Sequence, residues 1–232
     1  MNCLLLVILK KYCVKTIELG VQSTNDYILN RCQRNHTYAD VKKASKLIRW
    51  YGFTLGHQMM VGLPESTVLD ELRTAKDLAK LKPKIMRIYP VLVLKGTELE
   101  KEYLDGSYTP LSVEQAVERV KELCYFFAKK KINVIRIGLQ NTSEITDPNN
   151  VNSQVIAGPY HPAFRQLVQS AINYDKIVKK IKSFNVKVRE VEILTSPDNV
   201  NNVVGYKREN IKKLKDFYDV EAKVKQDNKI KN

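Results

Sequence analysis

Four apolar, β-branched stretches, Val14–Val21, Thr54–Val61, Ile85–Val93 and Ile132–Leu139, alternate with segments that carry helix-start chemistry. Each stretch reads as a buried strand. Between them, Ser23-x-x-Asp26, Thr37-x-x-Asp40, Thr67-x-x-Asp70 and Ser112-x-x-Gln115 have the form of capping boxes, in which a hydroxyl accepts from a backbone N–H and an acid or amide reaches back. The Thr37 helix is expected to run to about Trp50, with Gly52 as its stop. The Ser112 helix carries Val113, Ala116, Val117, Val120, Leu123, Cys124 and Phe127 as an apolar stripe that must face a core. Alternation of strand and helix implies a parallel sheet, because each crossover brings the next strand back in the same direction.

In such α/β architectures ligands gather beyond the carboxyl ends of the strands. Three loops there contain glycine, which lets backbone approach a ligand closely: Gly20-Val21-Gln22-Ser23-Thr24, Gly62-Leu63-Pro64-Glu65-Ser66-Thr67 and Lys95-Gly96-Thr97-Glu98-Leu99. From about Gln140 to Pro162 the chain is rich in Asn, Ser, Pro and Gly and reads as a hinge or surface excursion. A compact end follows. It is expected to hold a helix around Ile172–Ser183, a strand Val186–Leu194, a turn at Ser196–Asn199, a helix Arg208–Tyr218 and a strand Val220–Val224.

The run ELGVQSTNDYILNRCQRNHTYADVKKASKLIRWYGFTLGHQMMVGLPEST, followed by RIYPVLVLKGTELEKEY, resembles the radical S-adenosylmethionine (radical SAM) superfamily. The likeness is to the branch that holds the catalytic subunit of the Elongator complex and its shorter bacterial relatives. It covers roughly residues 10 to 170. The resemblance implies an α/β fold in which the chain supplies the last three strand–helix units of an incomplete radical SAM partial TIM barrel. A C-terminal extension and a small KH-like α/β tail would follow. The expected divisions are residues 1–99 for the barrel portion, 100–170 for the radical SAM C-terminal region, and 171–232 for the basic appendage.

Members of this superfamily hold a [4Fe-4S] cluster in a Cys-x-x-x-Cys-x-x-Cys loop, and no such triplet occurs in this sequence. Cys3, Cys13, Cys32 and Cys124 are scattered, so they offer neither a cluster loop, nor a zinc site, nor a disulfide framework, and no metal ligands are assigned. The resemblance therefore implies S-adenosylmethionine and [4Fe-4S] as cofactors of the full-length family, with the cluster ligands outside this chain. The family's glutamine of the G-V-Q motif and an arginine twelve residues on correspond to Gln22 and Arg34 and imply contact with S-adenosylmethionine. An amide suits ribose hydroxyls, and a permanently charged guanidinium suits a carboxylate. Glu18 is a further candidate. Gln58 stands where the family often carries Asp. Without the resemblance, Gln22 and Ser23 read equally as a strand end and a helix cap. His57 on an apolar strand reads as a hydrogen-bonded core histidine, Met59 and Met60 as core packing, and His36 as loop surface. No catalytic residue is assigned.

With 39 Lys and Arg against 25 Asp and Glu, the chain has a formal charge of +14. An anionic partner, nucleic acid first, and a lysine-rich solvated surface both account for this. The stretch NNVVGYKRENIKKLKDFYDVEAKVKQD is similar to the centre of a KH domain, where a glycine loop at a helix start clamps nucleic-acid backbone. Gly205, Tyr206, Lys207, Arg208 and Lys212 are the candidate nucleic-acid contacts, with Lys213 and Lys215 beside them. A solvated helix face is the alternative.

The apolar run Leu4–Leu9 lacks a basic leader and falls far short of the roughly 20 residues of a membrane span, so a cytoplasmic location with no membrane association is expected. Two functions follow. One is a fragment of a radical SAM enzyme, inactive alone, with tRNA as substrate and a missing N-terminal half or partner chain. The other is a non-catalytic module that binds RNA or protein.

Overall fold

The computed structural model describes residues 3–140, 142 and 144–230, which divide into two compact units at Pro162/Ala163. The first unit runs α1 (Cys3–Lys11), β1 (Thr16–Gln22), α2 (Asp26–Arg31), α3 (Tyr38–Trp50), β2 (Thr54–Val61), α4 (Val68–Lys80), β3 (Ile85–Pro90), β4 (Val93–Leu94), α5 (Glu98–Leu104), α6 (Val113–Lys129), β5 (Asn133–Ile137) and β6 (Val155–Ala157). Its main sheet has the order β1-β2-β3-β5, with every neighbouring pair parallel, as the strand–helix alternation required.

Side chains alternate across this sheet. Leu55, His57, Met59 and Val61 of β2 and Met86 and Ile88 of β3 are fully buried. Against that side pack α3, α4 and α6. Gln58, Met60, Arg87 and Tyr89 project from the opposite face and are half-buried. The expected stripe of α6 is buried at Ala116, Val117, Val120, Leu123, Cys124 and Phe127.

Thr37, Thr67 and Ser112 each cap a helix with a complete capping box. The fourth expected box is not formed. Asn25, not Ser23, caps α2, accepting from Tyr27 N–H, while the Ser23 N–H turns back to the Val21 carbonyl at 2.9 Å. The third strand is shorter than its apolar run. It ends at Pro90, and Val93–Leu94 pairs antiparallel with Val155–Ala157 in a separate ribbon. Two further helices did not stand out in the sequence. In α1, Leu6 is fully buried in a cluster with Ile48, Phe53 and Leu55; α5 is capped by Thr97.

The second unit comprises α7 (Phe164–Lys182), β7 (Glu190–Thr195), a 3-10 turn at Pro197–Asn199, α8 (Val200–Val204), a second turn at Tyr206–Arg208, α9 (Glu209–Tyr218) and β8 (Glu221–Gln226). β7 and β8 form a parallel pair. Helix α7 begins eight residues before the expected start; Ala163 at its N-cap makes no side-chain cap bond, so no local signal marks it. The division expected after residue 170 falls inside this continuous helix. The turn expected at Ser196–Asn199 is the 3-10 turn Pro197–Asn199, and the short helix α8 follows it where no element was expected.

Candidate functional site at the carboxyl ends of the sheet

β1 ends in an unusual conformation. Gln22 has φ of 67°, in the left-handed region that costs a non-glycine residue free energy, and it sits where the β1–β2 register slips. Its buried amide is fixed from β2, whose Gln58 Nε2 donates to Gln22 Oε1 at 3.2 Å. Arg34 leaves the turn after α2 and donates from Nη2 to the Gly20 carbonyl at 3.2 Å. A cavity of about 300 Å³ opens here. Gln22, Gln33 and Arg34 form a polar side, and Leu29, Met60, Leu63, Val91 and Leu99 an apolar one. The structure thus brings Gln22, Gln58 and Arg34 together. Met60, read as core, lines the cavity, whereas Met59 is fully buried.

One wall of the cavity is the Gly62 loop, held from both sides. Gly62 N–H donates to Glu71 Oε1 at 2.8 Å, and Tyr108 OH donates to the Gly62 carbonyl at 2.7 Å. Gly62 has φ of 79°, and a Cβ there would meet the Leu111 side chain at 2.9 Å, so glycine is required. Burial pushes the Glu71 carboxyl up, partly offset by the Gly62 N–H and by Arg119, whose Nη1 lies 3.0 Å away. Burial likewise raises the Tyr108 phenol.

The opposite rim is charged. Arg31 pairs with Glu102 at 2.7 Å and Glu65 at 3.0 Å, and Tyr27 OH donates to the same Glu65 carboxylate. The Tyr27 and Arg31 bonds hold the Glu65 carboxyl below its ordinary value. The Cys32 thiol, half-buried in this wall, is pushed up by desolvation. Sequence reading placed Glu65 in a ligand-side loop but missed Arg31, Glu71, Glu102 and Tyr108. Apart from the Gly62–Glu71 bond, their partners lie 34 to 71 residues away, which no local pattern exposes.

Glu18 stands apart from this cavity. Its carboxylate takes both forks of Arg87, with Nη2 to Oε1 at 2.8 Å, and Arg87 also donates from Nη1 to Tyr89 OH at 3.3 Å. His57 is the core histidine that was expected. Its Nε2 lies 2.9 Å from Ser45 Oγ, and burial lowers its pKa to about 4. His36, expected at the loop surface, instead brings Nε2 to 3.2 Å from the Val21 carbonyl.

In the second unit Gly205 has φ of 85°, and a Cβ there would sit 2.8 Å from the Asn210 backbone nitrogen. Asn210 is buried and its Nδ2 donates to the carbonyls of Ser170, Val203 and Asn202. The glycine therefore makes room for this internal staple. Lys207 and Arg208 follow with φ of 50° and 64°, and Lys207 Nζ lies 5.5 Å from the centre of the Tyr206 ring. Among the described residues Lys207, Arg208 and Lys212 have no carboxylate partner at ion-pair distance. Lys213 is paired with Glu209 at 2.6 Å, and Lys215 with Asp219 at 3.2 Å and Glu221 at 2.9 Å.

Among the described residues no three His, Cys, Asp or Glu side chains converge as a metal site. No described helix is long and apolar enough to cross a membrane.

The family model described as the radical SAM superfamily matches residues 5–79, and the model described as the radical SAM C-terminal domain matches residues 83–174. This chain belongs to the radical SAM superfamily. Relatives of this radical SAM chain include the tRNA uridine(34) acetyltransferase of Methanocaldococcus jannaschii, 36% identical over 105 residues, which cover 44% of this chain and 19% of that protein. The Elongator complex protein 3 of Homo sapiens is 27% identical over 115 residues, covering 48% of this chain and 21% of that protein. Among solved structures, the archaeal Methanocaldococcus infernus Elp3 with an N-terminal deletion matches with a TM-score of 0.58 and 26% identity. The match covers 79% of this chain and 40% of that one. The radical SAM chain thus spans about a fifth of the length of these curated relatives. Its parallel sheet, backed by α3, α4 and α6, is that of the partial barrel expected from the resemblance.

Proposed function

We propose that this chain is part of a radical SAM enzyme acting on tRNA and supplies the wall that holds S-adenosylmethionine. Gln22 and Arg34 bind its polar groups, and the apolar side of the cavity takes its nucleoside. In the complete enzyme the cofactor, once bound, supplies a 5'-deoxyadenosyl radical. Gln58 orients the Gln22 amide. Glu18, tied to Arg87, acts on the sheet rather than on the cofactor. The cluster ligands lie outside the 232 residues, on a preceding segment or a partner chain, and the chain alone is inactive. The first unit, whose sheet takes in β5 beyond the boundary expected at residue 99, serves as barrel portion and radical SAM C-terminal region, the basic appendage engages RNA, and the setting is cytoplasmic.

The observation that carries this reading is the left-handed Gln22, whose strained backbone and cross-strand amide bond hold its side chain at the rim of a half-apolar cavity beside Arg34. Calorimetry with S-adenosylhomocysteine tests it. Binding is expected, with at least a tenfold loss in Arg34→Ala. Absent binding, or equal binding by Arg34→Ala, overturns the cofactor assignment. Anaerobic reconstitution of the chain alone is expected to give no [4Fe-4S] absorbance, and a stoichiometric cluster overturns the placement of the ligands.

A second reading, a non-catalytic RNA-binding module, draws on the three cations Lys207, Arg208 and Lys212 around the start of α9. RNA binding by a chain that takes no S-adenosylhomocysteine favours it.

A further inference from the structure

On the sheet face opposite α3, α4 and α6, two arginines lie beyond the residues of the cofactor wall. In register across the strands stand Gly20 of β1, Gln58 of β2, Arg87 of β3 and Arg136 of β5. Ile88 and Ile137, the next registered pair, are buried towards the helices, so Arg87 and Arg136 project from the other face. Two guanidiniums opposed on adjacent strands repel each other, and neither can lose its proton. A pairing of this kind is costly unless an anion sits against it.

The row supplies one anion for two cations. Glu18 reaches across β2 to take both forks of Arg87. That crossing depends on Gly56, where a Cβ would lie 2.7 Å from Glu18 Cγ and 2.8 Å from Ile85 Cγ1. Arg136 receives no carboxylate among the described residues; its Nη1 donates to the neutral Gln140 Oε1 at 3.0 Å. The positive charge left over is concentrated at Arg136 and flanked by Arg87. Glu18 draws Arg87 back towards β1, which leaves the Arg136 fork as the open donor set.

We infer that Arg136, with Arg87 beside it, is a phosphate-binding subsite for a nucleotide on the sheet face opposite α3, α4 and α6. A guanidinium fork matches the oxygens of a phosphate in two parallel bonds. The row runs from Arg136 through Arg87 to Gln58, whose Nε2 donates to Gln22, so a nucleotide anchored there by its phosphate lies on the same sheet face as the cofactor wall. The inference rests on the proposed reading that this face carries the reaction.

The test compares uridine 5'-monophosphate with uridine by calorimetry on the full chain at low salt. The monophosphate is expected to bind at least tenfold more tightly, and Arg136→Gln to remove that advantage while leaving uridine unchanged. Arg136→Lys, which keeps charge without the fork, is expected to fall between. No binding of the monophosphate, equal affinity for both ligands, or an unchanged advantage in Arg136→Gln each overturns the subsite. Loss of the advantage in Arg34→Ala instead of Arg136→Gln also overturns it, because the phosphate then sits at the cofactor wall. Failure of S-adenosylhomocysteine to bind while the monophosphate behaves as expected sinks the cofactor assignment alone.

Discussion

The Glu71 carboxylate accepts the Gly62 N–H at 2.8 Å, tying the loop after β2 to the helix that follows it. Arg119 of α6 completes the pair from a second helix, and Glu71 is only 3% exposed. The loop on the cavity wall is therefore set by a buried charge whose partners come from two directions.

Removing that carboxylate leaves Arg119 and the Gly62 N–H unpaired, a loss on the order of 3 kcal/mol. Glu71→Ala is expected to show it as a lowered urea midpoint. Tyr108→Phe, which frees only the Gly62 carbonyl, is expected to cost about 1 kcal/mol. Because both act on one residue, the double variant is expected to depart from additivity, which a double-mutant cycle measures.

Gln22 holds a left-handed backbone that costs a side-chain-bearing residue on the order of 1 kcal/mol or more. Gln22→Gly is expected to recover part of that cost, and Gln22→Ala to keep the strain while losing the Gln58 bond. Thermal melts are expected to rank glycine above alanine at this position. A reversed order would deny that strain resides there.

His57 predicts acid sensitivity. Its folded pKa is depressed to about 4 from an ordinary 6.5 by burial, and Nδ1 meets no hydrogen-bond partner among the described residues. The unfolded chain therefore takes up the proton first. Stability is full above pH 6.5 and falls as the pH drops towards 4, by at most about 3 kcal/mol. Denaturant titrations at pH 7.5 and 4.5 should show the loss, and His57→Leu is expected to flatten it.

For the second unit, Lys207, Arg208 and Lys212 are expected to contact phosphates, while Lys213 and Lys215, already engaged with carboxylates, are not. In gel shifts with single-stranded RNA, neutralising each of the first three is expected to lower the log–log salt slope by about 0.7. Neutralising Lys213 is expected to leave it unchanged.

Local chemistry was legible in the sequence. Thr37, Thr67 and Ser112 announce their helices because a capping box is complete within four residues. Ser23 misleads because the chain turns tightly at Gln22 first, and Asn25 takes the cap. The parallel order followed from alternation alone. The pairing of Glu18 with Arg87, 69 residues apart, could not follow, since it depends on which strand lies between them and on that strand having Gly56 at the crossing. The cavity was legible at the residues the resemblance marked, Gln22 and Arg34, and in the two glycine loops that bring Leu63, Pro64, Glu98 and Leu99 to it. Its charged rim of Arg31, Glu65 and Glu102 is assembled by tertiary contacts.

Among the described residues β1 pairs only with β2, so its outer edge offers backbone donors and acceptors in the spacing of the next parallel strand. Such an edge is a template. Left without a companion it recruits whatever strand reaches it first, so the yield of dispersed material will fall as concentration rises. Co-production with a chain that adds the next strand should convert a sediment into a clear solution before any activity is measured.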